Sequence, residues 1–366
     1  MASQLEERIW EVLRSIKFPG MSRDVVSFGF VRRVEEEDGR VAVDLHITTG
    51  NRDAAAAVRE ATEKALAALP GVNSVAVGLS LEMPARPEET AQRAVRENAA
   101  QLIPGVEHVV AVASGKGGVG KSTVAANLAV SLAALGHRVG LLDADIYGPS
   151  VPIMFGISAK PVIDAGRNRI RPFEKFGLKV MSLGFVLDTD TPVIWRGPMV
   201  MKAIEQMLGD VEWGDLDYLV VDLPPGTGDA QLTLTQKVPL SGALVVTTPQ
   251  DVALIDARKG LAMFRKVNVP VLGIVENMSG FACPHCGEVT DVFKRGGGER
   301  TATLLEAPFL GAVPLDPAIM EGGDRGVPIV VAAPSGPHAA SFRAIAQAVI
   351  AEVAAHAAER PKLVIH

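Results

Sequence analysis

The first 82 residues carry short segments whose apolar positions are spaced in two different ways. Residues 4–16 place apolar side chains at the spacing of one helix face, and an alanine-rich stretch at roughly 53–68 predicts a second helix. Between them, two runs alternate apolar and polar positions and meet at Asp38-Gly39, a pair that favours a tight hairpin turn. A third alternating run covers 74–80. The pattern predicts a small α-β-β-α-β unit that ends near residue 82.

From about residue 106 the apolar positions become continuous within short segments, and helical segments separate them. Strands that are apolar throughout are buried on both faces, which is typical of a parallel sheet covered by helices. This predicts an α/β fold, with a mostly parallel twisted sheet and helices on both of its faces. The predicted strands are EHVVAVAS, HRVGLLDAD, KVMSLGF, DYLVVDLPPG, GALVVTTP, PVLGIVENM and APFLGAVP, and the predicted helices lie near 121–135, 198–208, 229–237, 251–266, 298–306 and 338–357.

The change of pattern also predicts the domain organisation. A chain of 366 residues is long for one core, so two domains are expected. Residues 1–82 form the small α+β domain and 106–358 the large α/β domain. Between them, 83–105 contains EMPARPEE, whose two prolines and mixed charges are typical of a linker. Residues 359–366 form a C-terminal tail.

A glycine-rich segment at 115–122, GKGGVGKS, follows a predicted strand and opens a predicted helix. Its spacing matches the P-loop, in which glycines let successive backbone N–H groups point at phosphate oxygens and the helix dipole adds to the attraction. The lysine reaches the β- and γ-phosphates and the serine hydroxyl ligates Mg²⁺. The alternative, a glycine-rich turn with a chance lysine, explains neither the strand nor the helix. The predicted nucleotide-binding residues are Gly115, Lys116, Gly117, Gly118, Val119, Gly120, Lys121, Ser122 and Thr123.

Polar residues end three further strands. Asp143 and Asp145 follow one apolar run and Asp222 follows another, at the carboxyl edge where ligands bind to such sheets. An apolar run that ends in aspartate is the Walker-B pattern, which holds Mg²⁺, usually through water. Asn277 ends a later strand, and its amide suits the edge of adenine. A strand-end aspartate is often only a helix cap, but three of them beside a P-loop predict a catalytic edge.

The only cysteines, Cys283 and Cys286, stand two residues apart. Such a pair has three chemical interpretations: a redox dithiol, half of a zinc or iron–sulfur site, or an incidental pair. Two cysteines this close in sequence cannot cross-link distant segments as the disulfides of secreted proteins do. This favours a reducing, cytoplasmic setting.

Net charge and the distribution of apolar residues limit the classes of partner that fit this sequence. A formal net charge of −6 argues against a nucleic-acid binder, which usually shows a basic face. No apolar run reaches the ~20 residues that span a bilayer, so no membrane association is expected. The N-terminus lacks the apolar core of a secretory signal.

Several motifs together carry a family resemblance: SGKGGVGKST, LLDADIYGPSVP, IWRGPMVMKAI, VVDLPPGTGD, TTPQDVALIDARKG, VENMSGFACPHCGE and GGGERTA. Between about 106 and 350 the chain resembles the Mrp (ApbC) family of iron–sulfur cluster carrier ATPases, within the MinD/ParA-like branch of P-loop proteins with a deviant Walker A motif. The resemblance implies a slow, Mg²⁺-dependent ATPase that forms a homodimer. It also implies that Cys283 and Cys286 of two subunits together hold one [4Fe-4S] cluster, received from cluster donors and passed to apo-proteins.

The same resemblance implies roles for individual site residues. Lys116 reaches across the dimer to the partner's nucleotide, Lys121 stabilises the phosphates, and Asp145 orients the attacking water. The first 82 residues resemble the small SufT-like domain of iron–sulfur assembly. This chain has KFPGMS and TTGNRD where such domains usually carry Asp-Pro-Glu and often a cysteine, so no separate metal site is expected there.

Two other functions fit parts of the sequence. A MinD/ParA-like positioning ATPase with a structural zinc bridge would share the P-loop, and four thiolates across a dimer suit zinc as well as iron. Such a protein usually carries a basic amphipathic tail or a basic face, whereas this C-terminal helix is rich in alanine. A small-molecule kinase would share the P-loop but would leave Lys116 and the cysteine pair without a use.

Overall fold

A computed structural model describes most of the chain, which divides into two compact units, Met1–Gln92 and Arg93–His366. Most of the predicted linker, the whole predicted tail and most of the helix predicted at 229–237 lie outside the described residues. Those residues are 4–19, 23–49, 51–82, 103–146, 148–164, 166, 169–186, 197–228, 231–232, 235, 238, 240–283 and 285–358.

The first unit has the predicted order of elements. Its three strands form one sheet, in which β2 pairs with β1 antiparallel and with β3 parallel. Asp38 and Gly39 both have positive φ, 50° and 77°, as the tight turn between β1 and β2 requires. Alternate residues of β2 are buried against both helices, so the period-two pattern packs one face of the sheet. The elements are α1 (Gln4–Ser15), β1 (Val31–Glu37), β2 (Arg40–Thr48), α2 (Arg52–Ala67) and β3 (Ser74–Glu82).

The second unit contains the large sheet. Its strands are β4 (Val106–Ser114), β5 (Val139–Asp143), β6 (Ile163–Asp164), β7 (Arg169–Ile170), β8 (Phe173–Lys175), β9 (Leu178–Ser182), β10 (Leu216–Asp222), β11 (Gly242–Thr247), β12 (Val271–Glu276), β13 (Phe281–Ala282), β14 (Val289–Thr290) and β15 (Phe309–Ala312). Its α-helices are α3 (Lys121–Ala134), α4 (Val151–Met154), α5 (Gly197–Gly209), α6 (Asp251–Lys266), α7 (Gly297–Leu304), α8 (Pro317–Asp324), α9 (Ile329–Ala332) and α10 (Pro337–Ala358).

Eight strands form the large sheet in the order β15-β12-β11-β4-β10-β5-β9-β8. All neighbouring pairs are parallel except β8 and β9, so the predicted mostly parallel α/β fold is confirmed. The four central strands are almost entirely buried, which accounts for their continuous apolar sequences. Elements that were not predicted include the hairpins β6–β7 and β13–β14, the edge strand β8 and the short helices α8 and α9. No helix in the described part of the chain is long and apolar enough to cross a bilayer.

The order of strands brings the predicted site residues to one edge. β4 lies at the centre, between β11 and β10, and β5 follows β10. Asp222 and Asp143 are partners in the register of β10 and β5, at the carboxyl ends of both strands. The P-loop begins where β4 ends, at this same edge. Residues far apart in sequence are therefore neighbours because parallel strands end together.

Candidate functional site

The P-loop connects the central strand β4 to helix α3 through residues 115–120. Gly115 allows close packing, because a β-carbon there would overlap the backbone of Asp256 in helix α6. Gly120, directly before the helix, has φ +79°, and a β-carbon there would overlap the Asn277 amide. Gly117 and Gly118 face open space in which no protein atom lies within 4 Å of an added β-carbon. This arrangement leaves a backbone cradle whose N–H groups suit phosphate oxygens.

Lys121 is the cation at the centre of the site. Its side chain is only 6% exposed, and Nζ lies 2.5 Å from Asp222 Oδ1, 3.7 Å from Asp145 Oδ2 and 3.3 Å from Ser122 Oγ. The structure therefore brings Lys121 and Ser122 together with two of the three acids predicted for this edge, Asp145 and Asp222. A buried ammonium at the first turn of a helix, beside the cradle, is suited to binding phosphate.

The carboxylates around Lys121 keep free acceptor atoms. Asp222 Oδ2 and Asp145 Oδ1 are both buried and have no hydrogen-bond partner among the described residues. A buried oxygen without a partner costs free energy unless a ligand, an ion or water satisfies it. Together with the Ser122 hydroxyl, these oxygens are the hard donors that Mg²⁺ prefers. The site thus fits both a nucleotide phosphate chain and its magnesium ion.

Burial controls the acidity of this cluster. Burial raises the pKa of Asp222, while the Lys121 ammonium opposes the rise. Burial and the neighbouring Asp222 carboxylate raise the pKa of Asp143 to about 7. Asp143 is already satisfied, because it accepts hydrogen bonds from Asp145 N, Val151 N and Ser182 Oγ at 3.0–3.2 Å. The geometry therefore gives Asp143 the role of holding the loop that carries Asp145.

Lys116 lies at the other end of the P-loop and is half-buried. The Ser114 hydroxyl donates to its carbonyl at 3.0 Å, which fixes the backbone at this point. Within the described residues its ammonium has no ion-pair partner. Lys116 therefore stands apart from the cluster around Lys121, and its predicted action on a partner subunit stays a prediction.

Asn277 contacts the P-loop itself. Its side-chain Nδ2 donates to the carbonyl of Val119 at 2.9 Å, and the residue is 5% exposed. It also lines a cavity of about 320 Å³ next to Gly120 and Thr123, a size that suits a nucleoside. In this structure the NH₂ group of Asn277 holds the P-loop, and the predicted contact of Asn277 with adenine stays a prediction.

The other walls of this cavity include residues that the sequence interpretation missed. The Ser150 hydroxyl is buried without a protein partner in the described part of the chain. Met278 and Asp316 also line the cavity. Asp316 caps helix α8 through Ala318 N at 2.8 Å and contacts His338 at 2.9 Å. Only the cap, an aspartate followed by proline, was visible as a sequence signal.

Cys283 and Cys286 occupy the turn of the β13–β14 hairpin. Both thiols are free; Cys283 is half-buried and Cys286 is exposed. The backbone N–H groups of His285 and Cys286 point at the Cys283 sulfur and lower the pKa of this thiol. A lowered pKa favours the thiolate, which is the form that binds metals. Among the described residues no group of three or more histidine, cysteine, aspartate or glutamate side chains could hold a metal ion within one chain, so no such third ligand joins the two thiols.

Comparison with protein families gives two matches. Residues 105–350 match the model of the ParA family, which is described as NUBPL iron-transfer P-loop NTPases. Residues 6–79 match the model of an iron–sulfur cluster assembly protein. The two matches divide the chain in the same way as its two compact units.

Curated relatives and solved structures extend these matches. The iron–sulfur cluster carrier protein of Helicobacter pylori is 44% identical over 346 residues, which is 93% of this chain and 91% of the relative. The protein of the same description from Synechocystis is 46% identical and covers 95% and 97% of the two chains. Among solved structures, a nucleotide-binding protein of Archaeoglobus fulgidus in complex with ADP is 39% identical. It has a TM-score of 0.55 and covers 64% of this chain and 91% of that one.

Proposed function

Because the chain belongs to the family of NUBPL iron-transfer P-loop NTPases, and is thus an ATPase of the iron–sulfur cluster carrier group, we propose a specific cargo and assembly. The proposal is that two copies of the chain hold one [4Fe-4S] cluster through Cys283 and Cys286 and pass it to apo-proteins. Binding and hydrolysis of ATP at the P-loop would drive the exchange. The family resemblance recognised in the sequence is confirmed by these relatives.

The observation that carries the proposal is the cysteine hairpin. It presents two free thiols in one turn, one of them with a lowered pKa, and no third ligand within the described residues joins them. An iron–sulfur cluster of this type takes four thiolates. A twofold axis through the turn would supply four thiolates from two chains, in the isologous manner of most homodimers.

The nucleotide site supports a hydrolytic role for its side chains. Lys121 would bind the phosphates from its buried position between Asp222 and Asp145. Ser122 and Asp222 would hold Mg²⁺, which when bound neutralises charge on the phosphate oxygens. Asp145, with a free oxygen and a position 3.7 Å from Lys121, would accept a hydrogen bond from the attacking water. The cavity beside Asn277 would take the base.

The experiment that tests this proposal is the metal content of anaerobically purified protein. We expect about four irons and four sulfides for each dimer, with the visible absorbance of a cluster. Zinc in place of iron, at one ion for each dimer, would contradict the carrier proposal and favour a structural bridge.

Replacing Lys116 with alanine should impair hydrolysis much more than ATP binding. Its ammonium stands outside the cluster that holds the phosphates in the same subunit, so its loss removes charge stabilisation delivered from the partner. A cation supplied in this way is worth about 10³-fold or more in turnover. Nucleotide affinity and single-turnover rates are the measurements. The control is Lys259→Ala, which removes an exposed lysine of helix α6 that pairs with Asp256. Equal loss of binding and hydrolysis with unchanged dimerisation would count against a role in the partner's site.

Replacing Asp145 with asparagine should leave ATP binding largely intact and slow its hydrolysis. The substitution keeps the size of the side chain but removes the carboxylate that would orient water, which typically contributes about 10²–10⁴-fold. Pre-steady-state hydrolysis by preformed enzyme–ATP complexes measures this step. Asp217→Asn is the matched control, because Asp217 pairs with Arg138 at the opposite end of strand β10. Hydrolysis at the wild-type rate in Asp145→Asn would remove Asp145 from the chemistry.

A further inference from the structure

Glu276, the last residue of strand β12, is a buried carboxylate outside the nucleotide site. It is fully buried and accepts three hydrogen bonds: from Ser279 Oγ at 2.6 Å, Gly296 N at 2.9 Å and Gly298 N at 2.5 Å. Gly296 lies 20 residues further along the chain. The chain leaves the sheet at Glu276 and comes back beside this carboxylate at Gly296, where helix α7 is about to begin. Residues 277–295 form the loop between these two points, here called the cysteine loop, because it carries Cys283 and Cys286.

The Glu276 carboxylate therefore joins the two ends of the cysteine loop. Helix α7 begins directly after Gly296, whose own position provides no side-chain cap, so Glu276 satisfies the first N–H groups of that helix. Gly298 approaches so closely that an added β-carbon would lie 2.9 Å from Glu276 Cβ. A charged acceptor at a helix N-terminus with three donors compensates for its burial. The glycines of the GGGERTA motif permit this packing.

The residue after Glu276 contacts the P-loop. Asn277 Nδ2 donates to the carbonyl of Val119, and that carbonyl belongs to the same planar peptide unit as the N–H of Gly120. If the peptide turns so that its N–H faces a phosphate oxygen, the carbonyl must turn with it. The hydrogen bond to Asn277 would then change whenever nucleotide binds or leaves.

The end of this segment that leads into the cysteine hairpin is held by residues 313–315. Ser279 N donates to Val313 O at 2.9 Å, Leu315 N donates to Gly280 O at 2.8 Å, and Phe281 bridges to Leu315. Residues 276–280 thus contact the P-loop at Asn277 and, through Glu276, the point at which the cysteine loop ends at helix α7. Asn277, which contacts the P-loop, adjoins Glu276 directly, and only Met278 separates it from Ser279.

From this juxtaposition we propose that Glu276 is a positioning residue that transmits the nucleotide state of the P-loop to the cysteine pair. This deepens the proposed function and rests on it, because it assigns the connection between hydrolysis and release of the cluster. When the P-loop peptide turns, Asn277 moves. The neighbouring Glu276 transmits this movement to both ends of the cysteine loop through its hydrogen bonds. The position and exposure of Cys283 and Cys286 then depend on whether nucleotide is bound.

The test measures how nucleotide changes the reactivity of the two cysteines in the full, cluster-free chain. Iodoacetamide labelling of each cysteine, followed by mass spectrometry, gives rates with and without Mg²⁺ and a slowly hydrolysed ATP analogue. In wild type we expect nucleotide to change the rate at least about 5-fold, the lower end of usual coupling between sites. In Glu276→Gln the ratio should fall to about one while the nucleotide still binds.

Two accompanying variants distinguish a positioning role from a general loss of structure. Ser279→Ala removes one of the three hydrogen bonds of Glu276 and should give an intermediate ratio, which keeps the test valid if Glu276→Gln does not fold. Ser241→Ala is the matched control, because it removes a buried hydroxyl that accepts from Val109 N elsewhere in the sheet. It should keep the wild-type ratio.

The proposal is overturned if wild type shows no nucleotide response or if Glu276→Gln keeps the full response. It is overturned equally if the variant loses the response only because its oligomeric state, measured by sedimentation, differs from that of wild type. Iron content after anaerobic reconstitution is measured separately. Loss of iron binding in wild type would reject the proposed function, whereas normal iron binding without a nucleotide response would reject only the role of Glu276.

Discussion

Replacing Lys121 with alanine should abolish both ATP binding and hydrolysis. The ammonium is 6% exposed and 2.5 Å from Asp222, so it is the central cation of the phosphate cradle. Its loss leaves the triphosphate facing two carboxylates with no neutralising side chain in the cluster. Loss of one group that stabilises transition-state charge typically lowers turnover by about 10²–10³-fold, and loss of binding adds to this effect. Calorimetric titration with ATP and a steady-state hydrolysis assay measure the two effects.

The same substitution should also destabilise the protein without nucleotide. Asp222 is fully buried, and removing one partner of a buried ion pair typically costs about 3–5 kcal/mol. Chemical denaturation of the nucleotide-free protein measures this loss. Lys116→Ala is the matched control, because it removes a P-loop lysine that is half-buried and should leave the stability nearly unchanged. ATP affinity at the wild-type level in Lys121→Ala would contradict the assignment of this residue.

Replacing Cys283 with alanine should remove nearly all iron from the reconstituted protein. A dimer of the variant would keep two thiolates in place of four, too few for a stable [4Fe-4S] cluster. The P-loop is formed by other residues, so ATP binding should persist. Anaerobic reconstitution with iron and sulfide, followed by measurement of iron, visible absorbance and oligomeric state, tests this. Wild type should bind about four irons for each dimer and the variant almost none.

Two controls sharpen this result. His285→Ala changes the residue between the cysteines but leaves both thiolates, so it should keep the cluster. Lys121→Ala should accept a reconstituted cluster but fail to deliver it in cells, the reverse of the cysteine variant. Because only the dimer would hold all four ligands, cluster binding should also favour the dimer. Equal iron in wild type and Cys283→Ala, or a fully loaded monomer, would reject the shared site.

The sequence alone determined the fold class and the P-loop. Period-two alternation identified the small sheet, and continuous apolar runs separated by helices identified the parallel one, because burial on one or two faces acts on each strand locally. The glycine-rich turn between strand and helix is local too. Its residues, 115–123, needed no distant partner to be recognised. The edge strand β8 escaped this interpretation because its three residues are too few to show a pattern.

Only the tertiary structure decided how the polar strand ends are used. The sequence placed Asp143, Asp145 and Asp222 at one edge, but the order of neighbouring strands differs from the order along the chain. Asp143 and Asp222 are partners in the register of β10 and β5. Hydrogen bonds from its own loop and from Ser182 of β9 satisfy Asp143, whereas Asp145 and Asp222 keep free oxygens beside Lys121.

The same holds for the segment next to the cysteines. Asn277 and Val119 are 158 residues apart, and their hydrogen bond depends on two strands that are separated in the sheet by β11. Glu276 lies within the segment VENMSGFACPHCGE, but nothing in that segment indicates its three donors, two of which lie at the far end of the cysteine loop. A single sequence records which residues can form such bonds. The packing of the folded chain decides which of these residues bond to each other. Such contacts join residues far apart in the chain, so none of them produces a local pattern in the sequence.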